Sequence, residues 1–391
     1  MTRREEIENN EMLILASYAC KSRDSLGREY AEEQDVYRTD FQRDRDRILH
    51  TEAFLRLQGK TQVFMVTEGD HYRNRLTHTT EVQQVGRDLS RALALNEDLA
   101  ESIALAHDLG HTPFGHAGQD ALHVMMQQFG KHFEHNEQSR RIVEQFESPY
   151  PDFPGLNLTW EVREGLLKHT PVYDQRGKIQ KINTMEAQVV NIADEISYYH
   201  HDLADGLRSQ LITIQDIIQL PLITACYQQV LRKYGQDLST DILIKRLLKE
   251  MMHLLIMDVI ETSHTHIKEW NIRTLQQVKT TQNHIVSFSD VRKKQTRELA
   301  HFLYEHVYTA PKVQQHTEEG EKIIKHLFQY FYDHPEKMLP EHAQKVKDGI
   351  PKEDVVRDYI AGMTDRFAIE QYQTFFPRQK MKAIQLQLIS E

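Results

Sequence analysis

Apolar residues in this chain recur mostly at three- and four-residue spacings, and alternating Val, Ile and Thr are almost absent. Over residues 76–95, Val82, Val85, Leu89 and Leu93 fall on one stripe, which predicts an amphipathic helix. Residues 97–109 continue with Leu99, Ile103 and Ala106 and stop at Gly110. Residues 116–129 predict a third helix with Leu122, Met125 and Phe129 inward and Gly130 as its stop. Asn136 stands where it can cap a fourth, running through Ile142, Val143 and Phe146. Pro149, Pro151, Pro154 and Gly155 make 148–157 a loop. A short helix over 160–168 leads to a polar linker or small hairpin over 172–183. A long helix over 184–202 follows, carrying Val189, Ile192, Ile196 and Tyr199. Clusters over 242–256, 296–308, 322–332 and 355–375 read as further helices, and no repeat is present. The pattern predicts an all-α protein.

Composition sharpens this. With 391 residues, 39% hydrophobic and 27% charged, the chain can bury a large core without disulfides or structural metal. No apolar run approaches the roughly 18 residues of a membrane span. Residues 1–10 are Arg/Glu-rich with no apolar segment behind them, so a secretory signal is not expected. Cys20 and Cys226 form no metal spacing, and a cytoplasmic location is expected. The 48 basic and 58 acidic residues leave a net charge of −10, so a nucleotide site requires a local cluster of cations. The 22 histidines point to metal or acid–base chemistry.

His78, the pair His107–Asp108, and Asp194 each lie in a predicted helix whose opposite stripe is apolar. Neutral imidazoles with carboxylates suit a divalent ion, and the mix admits Mn²⁺, Fe²⁺, Ni²⁺, Zn²⁺ or Mg²⁺. Four protein ligands around an octahedral ion leave room for water and a phosphate oxygen. On spacing alone a solitary histidine fits a surface or capping role, and Asp194 beside Glu195 fits a solvated face.

At these residues the chain resembles the HD-domain phosphohydrolases and, more narrowly, the bacterial dGTP triphosphohydrolase family. The resemblance rests on the ordered words Phe41-Gln-Arg-Asp-Arg-Asp-Arg-Ile48, Leu57-Gln-Gly-Lys-Thr-Gln-Val-Phe64, Arg75-Leu-Thr-His78 and His107-Asp-Leu-Gly-His-Thr-Pro-Phe-Gly-His116. Phe133-Glu-His-Asn136, Gly155-Leu-Asn-Leu-Thr-Trp160, Ala193-Asp-Glu-Ile196, His201-Asp202 and Tyr359-Ile-Ala-Gly-Met-Thr-Asp-Arg366 extend it from about residue 35 to the end. It implies an HD-domain helical bundle with additional C-terminal helices. The expected division is an N-terminal extension, partly flexible, over 1–34, a catalytic core over 35–210, and a C-terminal region over 211–391 that packs on the core and makes oligomer contacts.

The implied activity is hydrolysis of dNTPs to deoxynucleoside and inorganic triphosphate in one step. Residue by residue, His78, His107, Asp108 and Asp194 match the metal ligands. His116 matches the catalytic histidine and His135 a second histidine on the phosphate side. Arg75 matches a phosphate-binding arginine, Tyr198 and Asp202 match residues at the sugar, and Gln62 matches one near sugar and base. The implied cofactor is one divalent ion, Mg or Mn in function, with Ni, Fe, Co or Zn admissible in a purified sample. The implied partners are a dNTP substrate, a dNTP effector and further copies of the chain as a tetramer or hexamer, with single-stranded nucleic acid a weaker expectation and no membrane.

The carry-over has a physical basis: Asp194, Tyr198 and Asp202 are spaced i, i+4, i+8 along one helix face. By spacing alone Tyr198 fits a core aromatic equally well. Arg73, Arg75, Lys60 and the metal can supply the cations that a triphosphate needs, although without the resemblance Arg73 and Arg75 fit a solvated loop better. One departure stands out, because the position three after His116, where the family carries a carboxylate, holds Gln119. The expectation is that Gln119 orients His116 without charging it, with Asp120 as an imperfect substitute about 100° around the helix. Two other readings remain open: a nucleotide-binding sensor of the same fold, which Gln119 supports, and a phosphohydrolase of another phosphate ester.

Overall fold

The computed structural model describes residues 2–63, 72–167 and 184–379, so the linker or hairpin expected over 172–183 lies outside the described residues. Helices follow one another: α1 Arg3–Ile14, α2 Asp40–Leu49, α3 Glu52–Arg56, α4 Arg75–Ala92, α5 Glu97–Ala106, α6 Gly115–Gln127, α7 His135–Arg141, α8 Trp160–Gly165 and α9 Met185–Arg208. Then come α10 Ile214–Ile217, α11 Pro221–Tyr234, α12 Thr240–Glu269, α13 Leu275–Thr280, α14 Asp290–Leu303, α15 Pro311–Asp333, α16 Pro340–Lys347, α17 Lys352–Ala361 and α18 Asp365–Phe375. Among the described residues there is no strand, only an isolated bridge between Thr61 and Asn74. The fold is all-α, as the periodicity predicts.

Local chemistry sets the ends of these helices. Asn74 opens α4 through a reciprocal pair with Thr77, and Thr184 opens α9 by accepting from the Ala187 N–H. The fourth helix differs from expectation. Glu134, held extended, accepts from the Glu137 N–H at 3.0 Å and is the cap, while Asn136 lies inside the first turn. The 355–375 cluster divides into α17 and α18 because Gly362 closes one helix and the Thr364 hydroxyl caps the next. Beyond Leu303 the chain continues as a π-helical turn, Tyr304–Tyr308, which widens the helix and re-aims its last side chain.

Two apolar clusters hold these elements. In the first, α4 lies along both α5 and α9, burying Val82, Val85 and Leu89 against Ile103, Val189 and Ile196, and α12 and α14 cover α9 from outside. In the second, α6 packs on α15, and α17 and α18 close over α15. Two of the recognised sequence words are structural. Buried Asp44 accepts from the Thr159 N–H at 2.9 Å and from Arg28 at 2.6 Å, while Arg47 donates to the Leu156 carbonyl at 2.7 Å. The arginine-rich word thus clamps the 155–160 word. No helix among the described residues is long and apolar enough to cross a membrane.

Glu186 gives this core a pH-dependent weakness. One carboxylate oxygen accepts from the Cys20 and Asn96 backbone N–H groups at 3.0 and 3.1 Å, while Oε2 is buried without a partner. Burial pushes the carboxyl from its ordinary 4.5 up to about 7, against the pull of those N–H groups. A carboxyl raised on folding makes the native state hold the extra proton between these values. Stability therefore falls as pH rises from about 4.5 through about 7. Glu186→Gln keeps the accepting oxygen and removes the charge. Relative to wild type it should be more stable at pH 8 than at pH 5, by at most about 3 kcal/mol. Unfolding midpoints of both proteins at the two pH values measure this, and a pH-independent difference would contradict it.

Candidate metal centre and active site

α5 ends at Ala106, so His107 and Asp108 stand at a helix terminus facing α4 and α9. Close approach of α7 depends on Gly110. A side-chain carbon there would sit 2.2 Å from the His135 carbonyl and 2.3 Å from the Ser139 nitrogen. Ser139 ties the turn by accepting from the Gly110 N–H at 2.8 Å and donating to the His107 carbonyl at 2.9 Å.

Around this turn the four expected ligands converge. His78 Nε2 lies 2.9 Å from Asp194 Oδ1 and 3.7 Å from Asp108 Oδ2, and His107 Nε2 lies 3.2 Å from Asp108 Oδ1 and 3.7 Å from Asp194 Oδ1. His107 Nδ1 lies 2.6 Å from the Ala104 carbonyl, the geometry of an Nδ1–H donor, which leaves Nε2 with its lone pair. That Nε2 is buried and has no hydrogen-bond partner. Burial holds the His78 imidazole below its ordinary value, against Asp194 and Asp108. Burial alone would raise Asp108, but its neighbours His107, His111 and Arg75 prevail and hold it well below the usual carboxylate range. Two imidazoles, two carboxylates and an orphaned nitrogen fit a divalent cation.

Arg75 is almost fully buried. Its Nη1 donates to Asp108 Oδ2 at 3.0 Å and its Nε to the Thr61 carbonyl at 3.1 Å, while Nη2 is buried without a partner. Tyr198 and Asp202 meet through a residue that sequence reasoning missed. The Tyr308 hydroxyl lies 2.7 Å from the Tyr198 hydroxyl and donates to Asp202. Tyr308 comes from the π-helical turn 106 residues beyond Asp202, so no local spacing announces it. Gln62 keeps a buried, unpartnered Oε1, and its backbone carbonyl approaches Gly115.

Three expectations are revised. Gln119 does not pair with His116. Its Oε1 lies 2.6 Å from His135 Nδ1 and also receives the His135 backbone N–H at 3.3 Å. One helical turn carries the residue past His116 to the neighbouring helix start. There Glu134, missed from the sequence, places a carboxylate 3.0 Å from the same Nδ1. Although burial opposes it, the contact with His135 holds Glu134 down at about 2. Asp120 instead shares the surroundings of Glu321, His123 and Lys325. Lys60 donates its ammonium to the His111 and Ala361 carbonyls, and Arg73 pairs with Glu81 at 3.2 Å, so Arg75 is the expected cation that points at the ligand set.

His116 presents its ring to the surface, yet the protein packed around it, with repulsion from Arg75 and His135, holds the imidazole down at about 4. It is therefore neutral near pH 7 in the ligand-free protein. His111 completes the histidine cluster, its ring stacked on His135 at 3.9 Å and 3.2 Å from Asp108 by its Nε2. It stands three residues after Asp108, a spacing that was visible in the sequence. A cavity of about 1240 Å³ opens elsewhere, lined by Arg38, Arg47, Arg56, Tyr150 and Tyr359 and by none of the ligand or hydroxyl residues. Its arginines are matched by Asp46, Glu32 and Glu52.

Family models assign the same regions. An HD domain matches residues 75–199 and a phosphohydrolase-associated domain matches residues 286–374. A deoxyguanosinetriphosphate triphosphohydrolase-like protein of Geobacter sulfurreducens is 42% identical over 382 residues, covering 96% of this chain and 98% of its own. Proteins of the same description from Azoarcus sp. and Leptospira interrogans are 44% and 41% identical, over 93% and 95% of this chain and 96% and 98% of theirs. The chain belongs to the deoxyguanosinetriphosphate triphosphohydrolase-like family of HD-domain phosphohydrolases. HD domains bind divalent metals, and His78, His107 and Asp194 form a cluster able to hold one. The associated domain contains Tyr308, so the family's second module contributes directly to the hydroxyl cluster.

Asp108→Ala should remove the divalent ion while leaving far-UV helicity largely intact, because the ligands are contributed by helices whose cores lie elsewhere. Metal content of the purified variant checks this. A stoichiometric ion retained without Asp108 would remove it from the ligand set.

Proposed function

We propose that this protein hydrolyses deoxynucleoside triphosphates to deoxynucleoside and inorganic triphosphate. One observation carries the reading: α9 presents Asp194 to the ligand cluster and, at its next turns, Tyr198 and Asp202 to a hydroxyl cluster completed by Tyr308. Four residues of helix advance about 6 Å, so phosphate chemistry and hydroxyl recognition are separated by the dimension of a nucleotide's sugar.

His78, His107, Asp108 and Asp194 would hold the ion, which when bound supplies Lewis-acid polarisation of a phosphoryl oxygen. The free Nη2 of Arg75 donates to the triphosphate, with Nη1 kept on Asp108 so that the guanidinium plane does not rotate. A triphosphate near His116 favours the imidazolium, offsetting the burial that keeps it neutral beforehand. His116 is thus positioned to give a proton to the departing 5′-oxygen. His135, its Nδ1 fixed by Gln119 and Glu134, turns Nε2 towards the phosphate side. Asp202 and Tyr198 receive the sugar 3′-hydroxyl, and Tyr308 crowds the position that a ribose 2′-hydroxyl requires.

A nucleotide-binding sensor is the second reading, and Gln119 favours it as an amide where the family carries a carboxylate. Its contact is with His135, and there Glu134 supplies a carboxylate to the same ring nitrogen. Homo-oligomeric assembly and a dNTP effector follow from the resemblance alone, and light scattering with and without dNTP reads both.

Incubation with Mn²⁺ or Mg²⁺ and each dNTP, followed by chromatography, tests the activity. Deoxynucleoside and triphosphate are expected, whereas dNMP with pyrophosphate as main products would reject the bond assignment. Binding without turnover would select the sensor. For Asp202→Ala, the preference for dGTP over GTP in kcat/KM should fall by about tenfold or more, because a buried polar contact is lost. An unchanged ratio would show that the sugar is read elsewhere.

A further inference from the structure

The word Tyr359-Ile-Ala-Gly-Met-Thr-Asp-Arg366 has no part in the ligand cluster or the hydroxyl cluster, yet its aspartate reaches the catalytic region from two sides. Asp365 is the first residue of α18 and is 2% exposed. Its Oδ2 accepts from the Thr61 N–H at 2.9 Å and from the Thr61 hydroxyl, and its Oδ1 accepts from the Phe114 N–H at 2.9 Å. Each oxygen serves a different arm of the site. On one arm, the Lys60 and Thr61 carbonyls accept from the Arg75 backbone N–H and Nε, each at 3.1 Å, and Arg75 then bonds Asp108. On the other, Phe114 and Gly115 lead directly into His116.

The second arm is strained. Phe114 has φ 62° and ψ 22°, a left-handed conformation that a bulky aromatic residue adopts only when its surroundings impose it. Gly115 follows at φ 58°, and a side chain on it would stand 3.4 Å from Arg75 Nη2. The C-terminal layer imposes the Phe114 conformation. Phe114 is buried in the α6–α15 cluster against Gly320, and its N–H is held by Asp365. Lys60 adds a tie across the same junction through the His111 and Ala361 carbonyls.

We infer that Asp365 is a positioning residue of the reaction: its two carboxylate oxygens lock the guanidinium of Arg75 and the turn before His116 into a single mutual geometry. This rests on the proposed hydrolysis and assigns a role to a residue outside both clusters. A carboxylate meets the demand, because both arms present N–H donors and it offers an accepting oxygen to each. An asparagine offers one oxygen and sets its own N–H group against the donors of the other arm. Displacing a reacting group by about 1 Å can cost on the order of 100-fold.

Asp365→Asn and Thr61→Val separate this role from simple support of the fold. For Asp365→Asn, kcat should fall about 10- to 100-fold with KM within about threefold, and the ion should stay at wild-type stoichiometry. Hydrogen exchange should quicken at residues 111–116 and not in α9. Thr61→Val, which removes a single donor, should give a smaller fall in kcat with the 111–116 exchange unchanged. A kcat for Asp365→Asn within twofold of wild type would overturn the inference, as would loss of kcat and bound ion together. If the wild type hydrolyses no dNTP, the proposed function fails, and unchanged exchange at 111–116 in Asp365→Asn would separately refute the positioning role.

Discussion

A carboxylate buried among Arg75, His78, His107 and His111, with contacts of 3.0 to 3.7 Å, must stay ionised, and Asp108 is that carboxylate. Its desolvation is unfavourable by itself and becomes tolerable only because cationic and cation-ready groups surround it on several sides. Two of those groups are fixed in turn by Asp108: the Arg75 plane and the His111 ring on which His135 stacks. Removing the carboxylate would leave Arg75 buried without its counter-charge, so the site's electrostatics and its geometry are one property.

The other elements keep that charge dry and aimed. α4, α5 and α9 form a rigid apolar block behind it, and Gly110 lets α7 come close enough to bring His135 alongside. From the C-terminal half, α15 then packs on α6, and α17 and α18 close over α15. Because Tyr308 and Asp365 both lie within the associated domain, that domain takes part in the site's geometry as well as covering the HD core.

The helices were legible in the sequence because a 3.6-residue period writes the apolar stripe of α4 into local order. The i, i+4, i+8 spacing of Asp194, Tyr198 and Asp202 lies in the same local order, but by itself it fits a solvated face and a core aromatic as well. The ligand roles came from the family resemblance of the ordered words around them. His111 was within that reach, three residues after Asp108. Contacts between distant segments leave no such trace. Tyr308 meets Asp202 across 106 residues and Asp365 meets Phe114 across 251, and neither separation is periodic. Gln119 shows the intermediate case: its departure from a carboxylate was visible, while its partner was misplaced, because the sequence does not reveal which neighbouring element faces a helix turn. Glu134, a residue from that neighbouring element, places a carboxylate beside the same His135 nitrogen.

Two histidine–carboxylate groups stand side by side here, His78 with His107 and Asp194, and Asp108 with His111 and His135, and either could attract a cation. A structure of the protein soaked in Mn²⁺, with the ion located by its anomalous scattering, tests the central claim most directly. The account predicts a single peak within bonding distance of His78 Nε2, His107 Nε2, Asp108 and Asp194, with Arg75 still on Asp108. A peak held by Asp108, His111 and His135, with His107 Nε2 unligated, would contradict it.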